Sequence, residues 1–307
     1  MIALLIVLST FHFVFCQRNF SRKLHCSNAN ESAYFESPCH WSSDLAFSNK
    51  TGLCNPYIIE RNFSTTLNGR NFYLLGNSVI RHYSFNIKYL LDEYIGIKEN
   101  KLNREEEKLK CGALLDVNSC THFINNIRTT IKFLWMNTIG EAPDRTDKRD
   151  ICSIANTTTE ICLRNIFENA TMKDVLILSS SLVNSTSYAG SDMSWINYFA
   201  NIIKSQESFQ IGHLSAHKTL DMLLSVFPGA IIWLPYPFIG TNESVEQVNT
   251  FLRAAIETYC SERLIFLNTY SLLKDHKHLY LDGIHHPGKL SDMVVKAIFS
   301  LLKQLDI

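Results

Sequence analysis

The sequence predicts an α/β protein, a doubly wound parallel sheet with helices on both faces, preceded by a Cys-rich extension. Two observations predict it. Short apolar runs recur without polar alternation, as strands buried on both faces require. Between them lie stretches of helical length, many with apolar residues repeating at three and four positions.

The elements follow in order. Asn71–Gly76 (NFYLLG) is the first buried strand, stopped at glycine. Ser78–Tyr94 follows as a helix, with Val79, Ile80, Tyr83, Phe85, Ile87, Tyr89, Leu90 and Leu91 apolar. Thr130–Trp135 (TIKFLW) and Asp174–Leu178 (DVLIL) are the next strands, and Ser194–Ser205 and Ala216–Val226 read as helices. Ala230–Leu234 (AIIWL) is a strand entered through Phe227-Pro228-Gly229. Val245–Tyr259 is a helix, Leu264–Leu267 a strand and Lys289–Gln304 the last helix. The charge-dense stretch from Lys98 to Lys110 reads as a solvated helix or insertion.

Composition narrows the function classes. The chain has 307 residues, 46% of them hydrophobic and 19% charged, which argues against wholesale disorder and coiled coil. Lys plus Arg and Asp plus Glu are both 29, so a strongly basic surface for nucleic acid is not expected. No internal repeat of solenoid period is visible.

Residues 1–16 read as a signal peptide. Ile2–Cys16 is an apolar run of 15 residues, which suits a secretory signal and is short for a membrane span. With that segment removed no stable membrane span is expected, because Val226–Gly240 is broken by Pro228, Pro235 and Pro237. One of the nine cysteines is Cys16; the other eight are Cys26, Cys39, Cys54, Cys111, Cys120, Cys152, Cys162 and Cys260. An even count past the cleavage point predicts up to four disulfides in an oxidising compartment. Cys111–Cys120 and Cys152–Cys162 are the natural local pairs. Asn-x-Ser/Thr sequons stand at Asn19, Asn30, Asn49, Asn62, Asn156, Asn169, Asn184 and Asn242. Together these features predict a secreted or luminal glycoprotein. Residues 17–65 form its Cys-rich glycosylated extension, and 66–307 form the α/β domain.

Two stations carry chemistry. In the first, Gly76-Asn77-Ser78, a serine follows the first buried strand and opens a helix, where its N–H favours negative charge. Such a serine is also a common N-cap. In the second, Asp282-Gly283-Ile284-His285-His286-Pro287-Gly288, an aspartate three residues before a histidine can fix the imidazole tautomer. No C-x-x-C pair or other metal-like pattern is present, and a serine mechanism needs neither metal nor cofactor.

Gly-Asx-Ser after the first strand and Asp-x-x-His before the last helix, about 200 residues apart, resemble the first and last blocks of the SGNH/GDSL hydrolase superfamily. Cys54, then Leu67-Asn68-Gly69-Arg70-Asn71-Phe72, then Leu75-Gly76-Asn77-Ser78-Val79-Ile80-Arg81 resemble the PC-esterase-like branch, whose block ends GDSxxR. The resemblance spans roughly residues 54 to 305. It implies an O-acyl esterase or O-acyltransferase whose partner is an acylated carbohydrate or glycoconjugate. It also implies Ser78 as nucleophile, His285 as general base and Asp282 as the orienting acid. Asn77 stands where the family carries Asp. After Leu178 the family carries a Gly-x-Asn or Gly-x-His block, whereas this chain has Ser179 to Thr186 without glycine. The alternatives are a variant oxyanion hole built from Ser78 with Ser180 or Ser181, or a catalytically inactive SGNH-like domain that binds glycan or protein. Arg81, one turn below Ser78, is a candidate for an acidic substrate group or for pairing with a carboxylate.

Overall fold

The computed structural model describes residues 34–36, 40–41, 47–48, 67–95, 119–136, 139–140, 148–179, 206–236, 242–259, 261–270, 273, 280 and 289–304. The strands are β1 Tyr34–Glu36, β2 His40–Trp41, β3 Phe47–Ser48, β4 Asn71–Gly76, β5 Ser119–Ile124, β6 Thr129–Trp135, β7 Val175–Ser179, β8 Ala230–Trp233 and β9 Leu264–Asn268. The helices are α1 Ser78–Tyr94, α2 Ile151–Ile154, α3 Thr159–Ile166, α4 Gln206–Val226, α5 Asn242–Tyr259 and α6 Lys289–Gln304.

One mixed sheet organises them, in the order β1-β9-β8-β7-β4-β6-β5. Six strands of four to seven residues carry it, and the three-residue β1 pairs with β9 at one edge. All neighbours are parallel except β5, which runs antiparallel to β6 at the other edge. β2 and β3 pair separately as an antiparallel ribbon. The expected purely parallel sheet is therefore corrected at β5. That strand escapes a pattern search because its buried positions are Cys120, His122 and Ile124, while Phe123 points outward. A buried histidine and an exposed phenylalanine blur the alternation that marks a one-sided strand. His122 packs edge-on to Phe85 of α1, with ring centroids 5.2 Å apart.

The pleat sorts side chains between two cores. Phe72 and Leu74 of β4, Val175 and Ile177 of β7, and Ile131 and Phe133 of β6 face α1 and α6. Tyr73, Leu75, Leu176 and Leu178 face α3, α4 and α5. Right-handed crossovers explain this division. The chain leaves β4 through α1 toward β6, then reverses and moves through β7 and β8 to β9. Reversing the direction of travel moves the connecting helices to the opposite face.

Local chemistry sets the element ends. Asp150 accepts from the amides of Cys152 and Ser153, capping α2, and Thr158 accepts from Ile161, capping α3. These two short helices are absent from the sequence-based expectation. Cys152 and Cys162 join them by a disulfide with Cα atoms 5.4 Å apart, as their spacing predicts. Cys120 is also disulfide-bonded. Tyr73, Phe167 and Phe227 form an edge-to-face cluster with centroids 5.0 to 5.7 Å apart, locking β4 to the α3 and α4 layer. Gly229 is required before β8, because a Cβ there would lie 2.0 Å from the Asp174 carbonyl oxygen. The Asp174 carboxylate accepts from the Asn71 amide at 2.6 Å and the Thr171 amide at 2.7 Å, tying the entry of β7 to that of β4.

Two boundaries move outward from the expected ones. α4 begins at Gln206 rather than Ala216, and α5 at Asn242 rather than Val245. The expected helix 194–205 and the charged segment 98–110 lie outside the described residues. Among the described residues no helix is long and apolar enough to cross a membrane.

Candidate functional site

Counted in chain order, the parallel strands from β4 to β9 lie second, first, third, fourth, fifth. The order reverses between β4 and β7. In open α/β sheets the crevice beyond the strand carboxyl ends at such a reversal is where ligands bind. Gly76, the last residue of β4, pairs with Ser179 of β7 on one side and with Trp135 of β6 on the other. Ser78 leaves from this point.

The turn into α1 is built for close approach. A Cβ at Gly76 would lie 2.6 Å from Ile80 Cγ1 and 3.0 Å from the Ser179 carbonyl oxygen. Asn77, not Ser78, is the N-cap: its Oδ1 accepts from the Val79 amide at 3.0 Å. The N-cap alternative for Ser78 is thereby corrected. Ser78 is the first helical residue, half-buried, and no acidic residue occupies the first turn of α1. Its N–H stands in the first turn of a helix, where developing negative charge is favoured.

Asn77 has a second bond that explains why an amide serves at this position. Its Nδ2 donates to the Tyr236 hydroxyl at 3.1 Å. Tyr236 is held in turn by Asn249 of α5. The Tyr236 N–H donates to Asn249 Oδ1 at 2.7 Å, and Asn249 Nδ2 donates to the Tyr236 carbonyl at 3.1 Å. A buried polar chain thus fixes the first station to the loop after β8. Satisfied buried networks of this kind rigidify what they connect. Tyr236 and Asn249 are positioning residues that sequence reasoning missed. Asn249 carried a usable signal, a polar residue amid Val245, Val248, Phe251 and Leu252 on the buried side of α5.

Ser179 ends β7 beside Gly76, and its hydroxyl donates to the Pro235 carbonyl at 3.5 Å. Ser180, Ser181, Asp282 and His285 lie outside the described residues, as do the sequons at Asn19, Asn30, Asn49, Asn62 and Asn184. Asn156 and Asn169 are exposed, and Asn242 opens α5.

Arg81 does not pair with a carboxylate among the described residues; its guanidinium lies 5.9 Å from the centroid of the Trp135 ring. Arg149 lies over the same ring at 3.9 Å. Burial lowers the Arg81 pKa from its ordinary value, and the neighbouring Arg149 charge lowers it further.

The chain matches no family model, and no curated protein matches it significantly.

Proposed function

We propose that the chain is a serine-dependent O-acyl esterase or O-acyltransferase of SGNH type, acting on an acylated carbohydrate in the secretory pathway. The observation that carries this reading is the position of Ser78. It starts α1 at the switch point of the sheet, with capping assigned to Asn77 and the turn held by Tyr236. In the proposed reaction Ser78 Oγ attacks the ester carbonyl and its proton passes to His285, which Asp282 orients. The oxyanion forms against the Ser78 N–H. Collapse expels the sugar oxygen, which takes the proton from His285. Water or a second sugar hydroxyl then gives its proton to His285 and attacks the acyl-enzyme; the bond to Ser78 Oγ breaks and Ser78 takes that proton back, giving hydrolysis or transfer.

The test is turnover of 4-nitrophenyl acetate by the full secreted chain. Ser78→Ala and His285→Ala should each abolish it while leaving the folded state intact, because such residues act as a unit. Turnover that persists in folded Ser78→Ala removes the reading. A second reading, an inactive glycan-binding or protein-binding module, is favoured by the missing glycine after β7 and by the engagement of the Ser179 hydroxyl at Pro235. It predicts no turnover by folded wild type.

A further inference from the structure

A cavity of about 600 Å3 lies between α3 and α4, on the sheet face opposite α1. Thr158 and Glu160 line it at the start of α3, and Lys218, Asp221, Met222 and Ser225 line it from α4. Its volume falls within the ~300–1,000 Å3 usual for small-molecule sites. Glu160 Oε1 pairs with Arg164, and Asp221 Oδ1 accepts from the Tyr259 hydroxyl. Both carboxylates are thus held in place, each with a second oxygen that can accept from a ligand hydroxyl. Hydroxyls, carboxylates and one thioether suit a pyranose ring, which presents hydroxyls at its edge and C–H groups on its faces.

The chain carries a sugar attachment point at the rim of this cavity. Asn156-Thr157-Thr158 is a sequon, and its third residue is the threonine that lines the cavity. Asn156 is exposed and takes a left-handed backbone, φ 49°, which asparagine tolerates. Among the described residues nothing hydrogen-bonds its side chain. The Cys152–Cys162 bridge closes the short loop that holds it, which fixes where an attached glycan begins. Of the large apolar side chains exposed among the described residues, Ile154 and Ile161 flank Asn156 in the chain, where sugar C–H faces can cover them.

We infer that Asn156 is N-glycosylated and that the first N-acetylglucosamine units of its glycan occupy the cavity between α3 and α4. The inference rests on the secretory-pathway part of the proposed function and not on the role of Ser78. Covalent attachment keeps the local sugar concentration high, so modest contacts suffice to hold it there.

The test uses the full chain secreted from cultured mammalian cells. Glycopeptide mass spectrometry reads occupancy at Asn156, Asn169 and Asn242. Hydrogen peroxide then probes the native protein, with Met222 reporting on the cavity and Met172, 68% exposed, serving as the reference. Thr158→Asn destroys the sequon yet keeps an N-cap side chain, and Thr158→Ser keeps both. Methionine oxidation follows access, so the Met222-to-Met172 ratio should rise about twofold or more in Thr158→Asn and stay near wild type in Thr158→Ser. Asn156→Asp should match Thr158→Asn, and if one of these two does not fold, the other decides. A bare Asn156 beside a glycosylated Asn169 or Asn242 overturns the inference and leaves the secretory reading. Glycan at no sequon removes both. A glycosylated Asn156 whose loss leaves the ratio unchanged overturns the cavity seat and leaves the secretory reading.

Discussion

Replacing Gly76 by alanine tests the construction of the turn that presents Ser78. The added Cβ would meet Ile80 Cγ1 at 2.6 Å, Ile80 Cβ at 3.0 Å and the Ser179 carbonyl oxygen at 3.0 Å. Carbon atoms in contact prefer about 3.5–4.0 Å, so the shortest contact is tight by about 1 Å. Neither neighbour can turn aside. Ile80 is fully buried and β-branched, with one dominant rotamer in a helix, and the other atom is backbone. α1 must therefore move away from β7, at a cost of roughly 1–3 kcal/mol. Urea unfolding of Gly76→Ala should show a lowered midpoint with an unchanged slope. The partner variant Ile80→Ala should cost about 2–5 kcal/mol by leaving a cavity. Combining the two removes the 2.6 Å contact, leaving those at 3.0 Å, and refills part of that cavity. The double variant should then be more stable than the sum of the single losses predicts, by about 1 kcal/mol or more. Strict additivity would refute the steric reasoning. In the active-enzyme reading, a displacement of about 1 Å at Ser78 should also cut ester turnover by about 10²-fold.

Two further predictions concern stability. The Cys152–Cys162 bridge spans 10 residues, so Cys152→Ala/Cys162→Ala should lose roughly 2.7 kcal/mol in urea unfolding by the chain-entropy relation; an unchanged midpoint would show that the bridge contributes nothing. Burial lowers the His217 pKa below its ordinary 6.5, although the Ala255 carbonyl and Asp221 oppose the shift. The unfolded chain therefore binds the extra proton first, and stability falls as pH drops from about 6.5 toward the lowered folded value. His217→Gln should flatten that part of the pH–stability curve, and an unchanged acid limb would count against the assignment.

β4, α1 and α6 were legible to the residue, and β6 to β9 to within a residue or so at either end. Each is an apolar run or helical period, and several are bounded by a glycine, a cap or a proline-glycine turn, so the information lies within a few neighbouring positions. Ser78 was legible for the same reason, since strand, turn and helix start are consecutive. What surrounds Ser78 was not legible. The Tyr236 hydroxyl reaches Asn77 across 159 positions, and Asn71 is held by Asp174 across 103. Arg81 suggested a carboxylate partner, whereas the fold brings it an aromatic ring from β6 and a second guanidinium from the loop before α2. The reversed direction of β5 likewise depends on its pairing with β6, and its own residues only blur the signal. Periodicity and turn chemistry act between near neighbours and are written in the order of residues. Strand order and the company a buried polar group keeps are settled only when distant segments pack, because there each donor and each apolar face finds its partner.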